Sequence, residues 1–132
     1  MLSWYLDSSA ILKYVFAEPE RPALVKALTS QAISSELTRL EVKRTVYRIN
    51  PKDIILANEE LSRINFVSIS NQVLGVAESF TSGVTLATLD AIHVATAITL
   101  GKGIEGIITY DKQMVTNARN MGIKVLSPGA KL

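Results

Sequence analysis

Cysteine is absent from all 132 residues. That excludes disulfides and zinc–thiolate sites, and it suits a reducing cytoplasm. Long apolar runs are missing too. None reaches the roughly 20 residues needed to span a bilayer. The opening MLSWYLDSS is apolar for only a few positions and carries no basic leader, so it lacks the pattern of a signal peptide. The expectation is a soluble, cytoplasmic protein with no membrane contact. There is no internal repeat, no low-complexity tract and no Gly/Ser- or Pro-rich stretch long enough to be a linker. Residues 1–132 therefore read as one domain. An excess of charge of one sign is also lacking. A formal net charge of +2 does not by itself announce a nucleic-acid binder. The distribution is more informative, because Arg39, Lys43, Arg44, Arg48 and Lys52 fall within fourteen consecutive positions. Such a run is either a solvated helix face or a surface that meets phosphates.

What is present is an apolar share of 48%, enough for a packed core, arranged in alternating short strands and helices. Leu2 to Leu6 is a short apolar strand. Asp7-Ser8-Ser9 supplies helix-starting residues for a helix over Ala10 to Ala17 that stops before Pro19. Pro22 starts a second helix running to about Leu28, and Ala32-Ile33 is a very short strand. Ser34 or Ser35 caps a helix to about Ile49, stopped by Pro51. Lys52 to Ile64 is helical, Phe66 to Ile69 strand-like, and Asn71 to Phe80 helical. Thr88 opens a long apolar helix that ends at Gly101. Gly106 to Thr109 is a strand, Asp111 to Met121 a helix with Gly122 just past its end, and Lys124 to Leu126 a last strand. Apolar strands of four or five residues separated by helices predict an α/β fold, with a parallel sheet covered on both faces. Ligands in such folds sit at the carboxyl ends of the strands.

Four carboxylates draw attention on that basis. Asp7 ends the first strand, and Asp111 stands just past Ile107-Ile108. Both lie at the edge where parallel sheets place chemistry, although each also precedes a helix and would serve as its N-cap at about 1 kcal/mol. Asp90 sits in LDAIHVATAI, where apolar residues surround nearly the whole helix. Burying an unpaired carboxylate there costs several kcal/mol unless a cation or donors meet it. The alternative is a first-turn acid stabilised by the helix N-terminus. His93, one turn later, fits a hydrogen-bonded core residue better than a metal ligand. Glu41 could be an exposed helical acid paired with Arg44, but its helix rises from the same sheet edge. Carboxylates from distant parts of the chain that meet on one edge repel one another and call for a cation. With no cysteine, the ion they suit is Mg2+ or Mn2+.

LDSSA, SSELTRLEVKR, TLDAIHVATA and TYDKQM, in that order and spacing, resemble a PIN domain over essentially the whole chain. The similarity is greatest to the VapC toxin ribonucleases of VapBC toxin–antitoxin pairs. The resemblance implies a three-layer α-β-α fold around a five-stranded parallel sheet of order 3-2-1-4-5. It maps the family's acidic residues onto Asp7, Glu41, Asp90 and Asp111, with Thr109 at the polar position before the last acid. Glu36, the other candidate on that helix, is left as a first-turn dipole partner. It further implies Mg2+ or Mn2+ as cofactor, RNA as substrate, a homodimer, and a VapB-like antitoxin as partner. In the mechanism expected from it, Asp7, Asp90 and Asp111 hold one or two ions. Glu41 contacts a second ion or orients the water that attacks phosphorus, and the metal stabilises the leaving 3′-oxygen. Lys13, Arg39, Lys43 and Lys112 are candidates for positioning phosphates. Part of the apolar first helix, Ile11 to Phe16, is the candidate antitoxin contact. Two competing readings are a PIN-fold RNA-binding or assembly module that does not cleave, and a magnesium-dependent phosphatase. The second is weakened by Ser9, which stands where a dehalogenase-type phosphatase wants a second Asp.

Overall fold

A computed structural model describes residues 2–130. Five parallel strands, β1 (Ser3–Leu6), β2 (Ala32–Ser35), β3 (Asn65–Val67), β4 (Ile104–Ile108) and β5 (Val125–Leu126), form one sheet in the order β3-β2-β1-β4-β5. The expected order is therefore the observed one. The helices are α1 (Ser8–Val15), α2 (Arg21–Ala27), α3 (Glu36–Ile49), α4 (Ile54–Leu61), α5 (Asn71–Glu78), α6 (Thr88–Leu100) and α7 (Lys112–Asn120). None is long and apolar enough to cross a membrane among the described residues.

The strands alternate their side chains between two cores, as a pleated sheet requires. Trp4 and Leu6 of β1 join Ile11, Val15, Val42, Val46 and Ala57 under α1, α3 and α4. Tyr5 points the other way, against Val94 and Ala97 of α6 and Met114, Val115 and Ala118 of α7. This gives the α-β-α layering. β4 and β5 approach so closely that a Cβ on Gly106 would lie 2.3 Å from the Lys124 carbonyl oxygen, so the strand needs glycine there. Gly101 ends α6 at φ 53°, the left-handed conformation that makes glycine the residue of choice past a helix end.

Several boundaries differ from the sequence expectation. β4 begins two residues early, because Ile104 already pairs with Ser3. The helix expected over Lys52 to Ile64 is broken into a 3-10 turn at Pro51–Asp53 followed by α4. Thr88 opens α6 as expected, with Ala87 at the cap position and no side chain closing the first turn. β3 ends at Val67. Ile69 instead turns its N–H to the Glu36 carboxylate at 3.1 Å, so Glu36 ties α3 to the chain leaving β3 in addition to sitting in the first turn of its helix.

β1 and β4 are neighbours, with Leu6 opposite Ile108, so the residues just beyond them, Asp7 and Thr109, emerge side by side. α3 starts directly from β2. α6 precedes β4 and runs back along the sheet, which brings its first turn to the same carboxyl edge.

Candidate active site

Asp7 is both a helix cap and the centre of a hydrogen-bonded corner. Its Oδ1 accepts from the Ala10 N–H at 3.1 Å, the N-cap bond of α1. The Ser9 hydroxyl donates to the same oxygen at 2.6 Å, and the Thr109 hydroxyl donates to Oδ2 at 2.6 Å. The two hydroxyls are anchored in turn. The Tyr110 N–H donates to Ser9 Oγ at 2.9 Å, and the Asp111 N–H to Thr109 Oγ1 at 3.1 Å. Asp7 is 3% exposed. Burial drives its pKa above the ordinary value, against the opposing pull of His93 and of the Ser9, Thr109 and Ala10 donors. Asp111 caps α7 by accepting from the Met114 N–H at 2.8 Å. Asp7 and Asp111 thus both cap the helices that follow them, and both still stand at the carboxyl edge of the sheet.

Asp90 stands in different surroundings. It is half-buried in the first turn of α6 and has no hydrogen-bond donor among the described residues. Its pKa is pushed up to about 6, first by burial and then by the charge of Asp111, with further contributions from Asp7 and Glu41 and partial relief from His93. The four acids predicted from the sequence are thus brought within electrostatic reach of one another, although they come from four separate parts of the chain.

Glu41 is not a surface partner of Arg44. Its Oε1 lies 2.6 Å from Nε2 of His93, which is 1% exposed. On the other side of the ring, the Tyr5 hydroxyl lies 2.7 Å from Nδ1. Burial lowers the His93 pKa, but the Glu41 hydrogen bond and the charges of Asp7, Glu41 and Asp90 outweigh it, and the net direction is upward. His93 is the hydrogen-bonded core residue expected, with partners on β1 and α3 that nothing local to its own helix could identify.

The donor set consists of hard carboxylate oxygens, which fit Mg2+ or Mn2+ and not a soft metal. Mutual repulsion among the acids is a liability that a cation would relieve. Among the described residues, no three acidic or histidine side chains are drawn tightly enough together to enclose an ion by themselves.

The basic candidates divide. Lys13 is already committed, with Nζ 3.1 Å from Glu20 Oε2 and 5.0 Å from the centre of the Tyr110 ring. Arg39 lies over the Phe66 ring at 5.3 Å and, with Lys43, borders a surface pocket beside Glu36 and Ile69. Lys112 is exposed at the start of α7. Two contributors escaped the sequence reading. Ser9 passed as a helix-starting residue, and its place in the LDSSA stretch was the only signal available. Asn117, 3% exposed on α7, holds Thr85 of the loop before α6 through two bonds of 3.0 and 2.9 Å, and nothing in the sequence flagged it.

The PIN domain model matches residues 4–120. The chain is 34% identical to Ribonuclease VapC47 of Mycobacterium tuberculosis, over 96% of this chain and 97% of that protein. It is 35% identical to Ribonuclease VapC46 of the same species, over 97% and 99% respectively. Among solved structures it superposes on VapBC2 from Rickettsia felis, bound to a DNA fragment from their promoter. That match has a TM-score of 0.76 at 12% identity and covers 95% of this chain and 98% of the other. At that identity the superposition speaks for the fold alone.

Proposed function

Since this chain belongs to the PIN-domain family and is similar over nearly its whole length to VapC ribonucleases, we propose that it is the toxin of a toxin–antitoxin pair and cuts RNA at the carboxyl edge of its sheet. In this reading Asp7, Asp90 and Asp111 hold Mg2+ or Mn2+, in part through water, with Glu41 beside them. The observation that carries it is Asp90, a half-buried carboxyl without a donor, pushed up to about 6 by burial and by the acid across from it. The N-terminus of α6 is the one structural stabiliser on hand for it, and that does not offset three neighbouring acids.

A bound divalent ion supplies Lewis acidity toward the phosphodiester and an acidified water. The chain's own groups do the rest. Ser9 and Thr109 fix both oxygens of Asp7, so this acid presents one orientation. Asp111 spends Oδ1 on the α7 cap, which leaves Oδ2 for a ligand role. Glu41 spends Oε1 on His93, and Oε2 is the oxygen left to accept a proton from, or orient, the attacking water. Hydrolysis adds that water across a P–O bond, the hydroxyl going to phosphorus and the proton to the leaving oxygen. Arg39 and Lys112, which are exposed, and Lys43, which is partly so, are the candidate cations left to meet backbone phosphates; Lys13 is engaged elsewhere.

A partner surface accompanies this reading. Tyr14 of α1, Val25 of α2, Leu28 just past it and Ile64 after α4 form the apolar part of a pocket of about 340 Å³ that Arg21 and Arg63 also line. Val25 is 53% exposed. The first helix therefore divides as the sequence left open: Ile11 and Val15 are buried, whereas Tyr14 opens into a groove fit for an antitoxin segment.

The test is cleavage of labelled RNA by the purified protein in Mg2+ or Mn2+ against EDTA, with Asp7→Asn as control. Metal-dependent cleavage that disappears in Asp7→Asn is expected. Cleavage that persists in EDTA or in the variant overturns the assignment.

A further inference from the structure

The hydrogen-bonded chain through His93 has a job that the four acids alone do not account for. Tyr5 on β1, His93 on α6 and Glu41 on α3 are joined by contacts of 2.7 and 2.6 Å. The imidazole is 1% exposed and the Tyr5 side chain fully buried, so neither contact is a wandering surface pair. A carboxylate can only accept, so the nitrogen facing Glu41, Nε2, must carry the proton. In the neutral ring Nδ1 is then the acceptor, and the Tyr5 hydroxyl donates to it. Each bond fixes the polarity of the next. His93 also lies one turn along α6 from Asp90, so the same ring that grips Glu41 sets the spacing between α3 and the first turn of α6.

We propose that His93 is a positioning residue. Through its Nε2–H it would hold Glu41 in the one orientation that leaves Oε2 free for an ion or the attacking water, while the Tyr5 hydroxyl satisfies Nδ1 of the tautomer that Glu41 selects. The assignment rests on the metal-nuclease reading above and deepens it by giving Glu41 a fixed direction. Residues that orient a metal site from behind typically change metal affinity by about 10- to 100-fold when removed.

Variants of His93 separate the two bonds. In His93→Gln the side-chain amide nitrogen reaches about where Nε2 stands and can still donate to Glu41. In His93→Asn the amide reaches only toward the Nδ1 side, and the bond to Glu41 is lost. The first readout is Mn2+ affinity by electron paramagnetic resonance, without RNA. Expected is a loss of about 10- to 100-fold in His93→Asn and less than about tenfold in His93→Gln, with Glu41→Gln,His93→Asn no worse than the poorer single variant, because the two act as one unit. Equal losses in Asn and Gln, or additive losses in the double variant, overturn the proposal.

The second readout needs no variant that could misfold. The chain has one histidine, so its imidazole nitrogens are assigned at once in 15N NMR of the metal-free protein at pH 8. A proton on Nε2 with Nδ1 bare is expected, and a proton on Nδ1 alone overturns the proposal. Tyr5→Phe should leave the proton on Nε2, because Glu41 still faces that nitrogen. If the parent binds no Mn2+, the nuclease reading and this proposal fall together. If the parent binds it, Asp7→Asn does not, and His93→Asn binds like the parent, only the positioning role falls.

Discussion

Asp7 and Asp90 are two acids of one carboxylate cluster built on opposite plans. Around Asp7 the fold has spent three donors, from Ser9, Ala10 and Thr109, on two oxygens. Around Asp90 it has spent none, and burial and a neighbouring acid work against the charge. The Asp7 end of the cluster is satisfied by the protein; the Asp90 end is not. The contrast shows how a carboxylate cluster can be assembled without unfolding its host. The deepest acid is solvated by the protein, and the repulsion falls on one that is only half-buried.

Four measurements would sharpen or break this contrast. The largest effect is shared by both acids: Asp7→Asn and Asp90→Asn should each lower RNA cleavage by more than about a hundredfold, the scale of removing a group that acts electrostatically on a transition state. A variant that keeps a tenth of the parental rate removes its residue from the machinery. Stability should then separate them. Asp7→Ala strands the Ser9 and Thr109 hydroxyls and the Ala10 N–H, and should cost about 1–3 kcal/mol in chemical denaturation. Asp90→Asn should raise the melting temperature in EDTA, and it should shrink the upward shift that Mn2+ gives the parent. A lower melting temperature for Asp90→Asn would mean that Asp90 has a donor after all.

The third effect is on pH dependence. A carboxyl whose folded pKa is raised, here from 3.8 to about 6, binds protons more readily folded than unfolded. Its favourable contribution is therefore present at the acid end and lost as pH rises through about 4 to 6. Asp7 is shifted in the same direction. Metal-free melts should show this loss between pH 4 and 6 in the parent and a flatter profile in Asp90→Asn. Equal slopes would refute the strained half of the comparison. The smallest effect is that of Thr109→Val, which removes one donor to Asp7 and the acceptor of the Asp111 N–H. A loss of about 1 kcal/mol with a reduced cleavage rate and unchanged RNA affinity is expected.

The parts of this architecture that were legible in the sequence are those written locally. Asp7 and Asp111 precede helices and follow apolar strands, and these two facts placed them at one edge before any coordinates. Gly101 marked the end of α6 because a left-handed residue was needed there. Turn chemistry was less legible. Thr88 is a good capping residue, yet Ala87 holds the cap position. Proline at position 51 opened a separate 3-10 turn as well as ending a helix. Least legible were pairings across the fold. Glu41 and His93 are 52 residues apart, and on its own helix Glu41 had Arg44 as the obvious partner. Lys13 resembled a free phosphate ligand until Glu20 and Tyr110 were seen to hold it. Periodicity reports which face of a helix is apolar, but not which residue of another helix will meet a polar one.

The outermost strands have a consequence for how this protein meets its neighbours. β3 contributes three residues and β5 only two, so either margin of the sheet offers a very short row of free backbone groups. A stub of that length is a poor template for another chain, and natural sheets use it to discourage edge-to-edge aggregation. Growth by adding strands is closed off. Self-association is left to the helical layers, where Tyr47 of α3 and Ile55 of α4 stand 58% and 68% exposed.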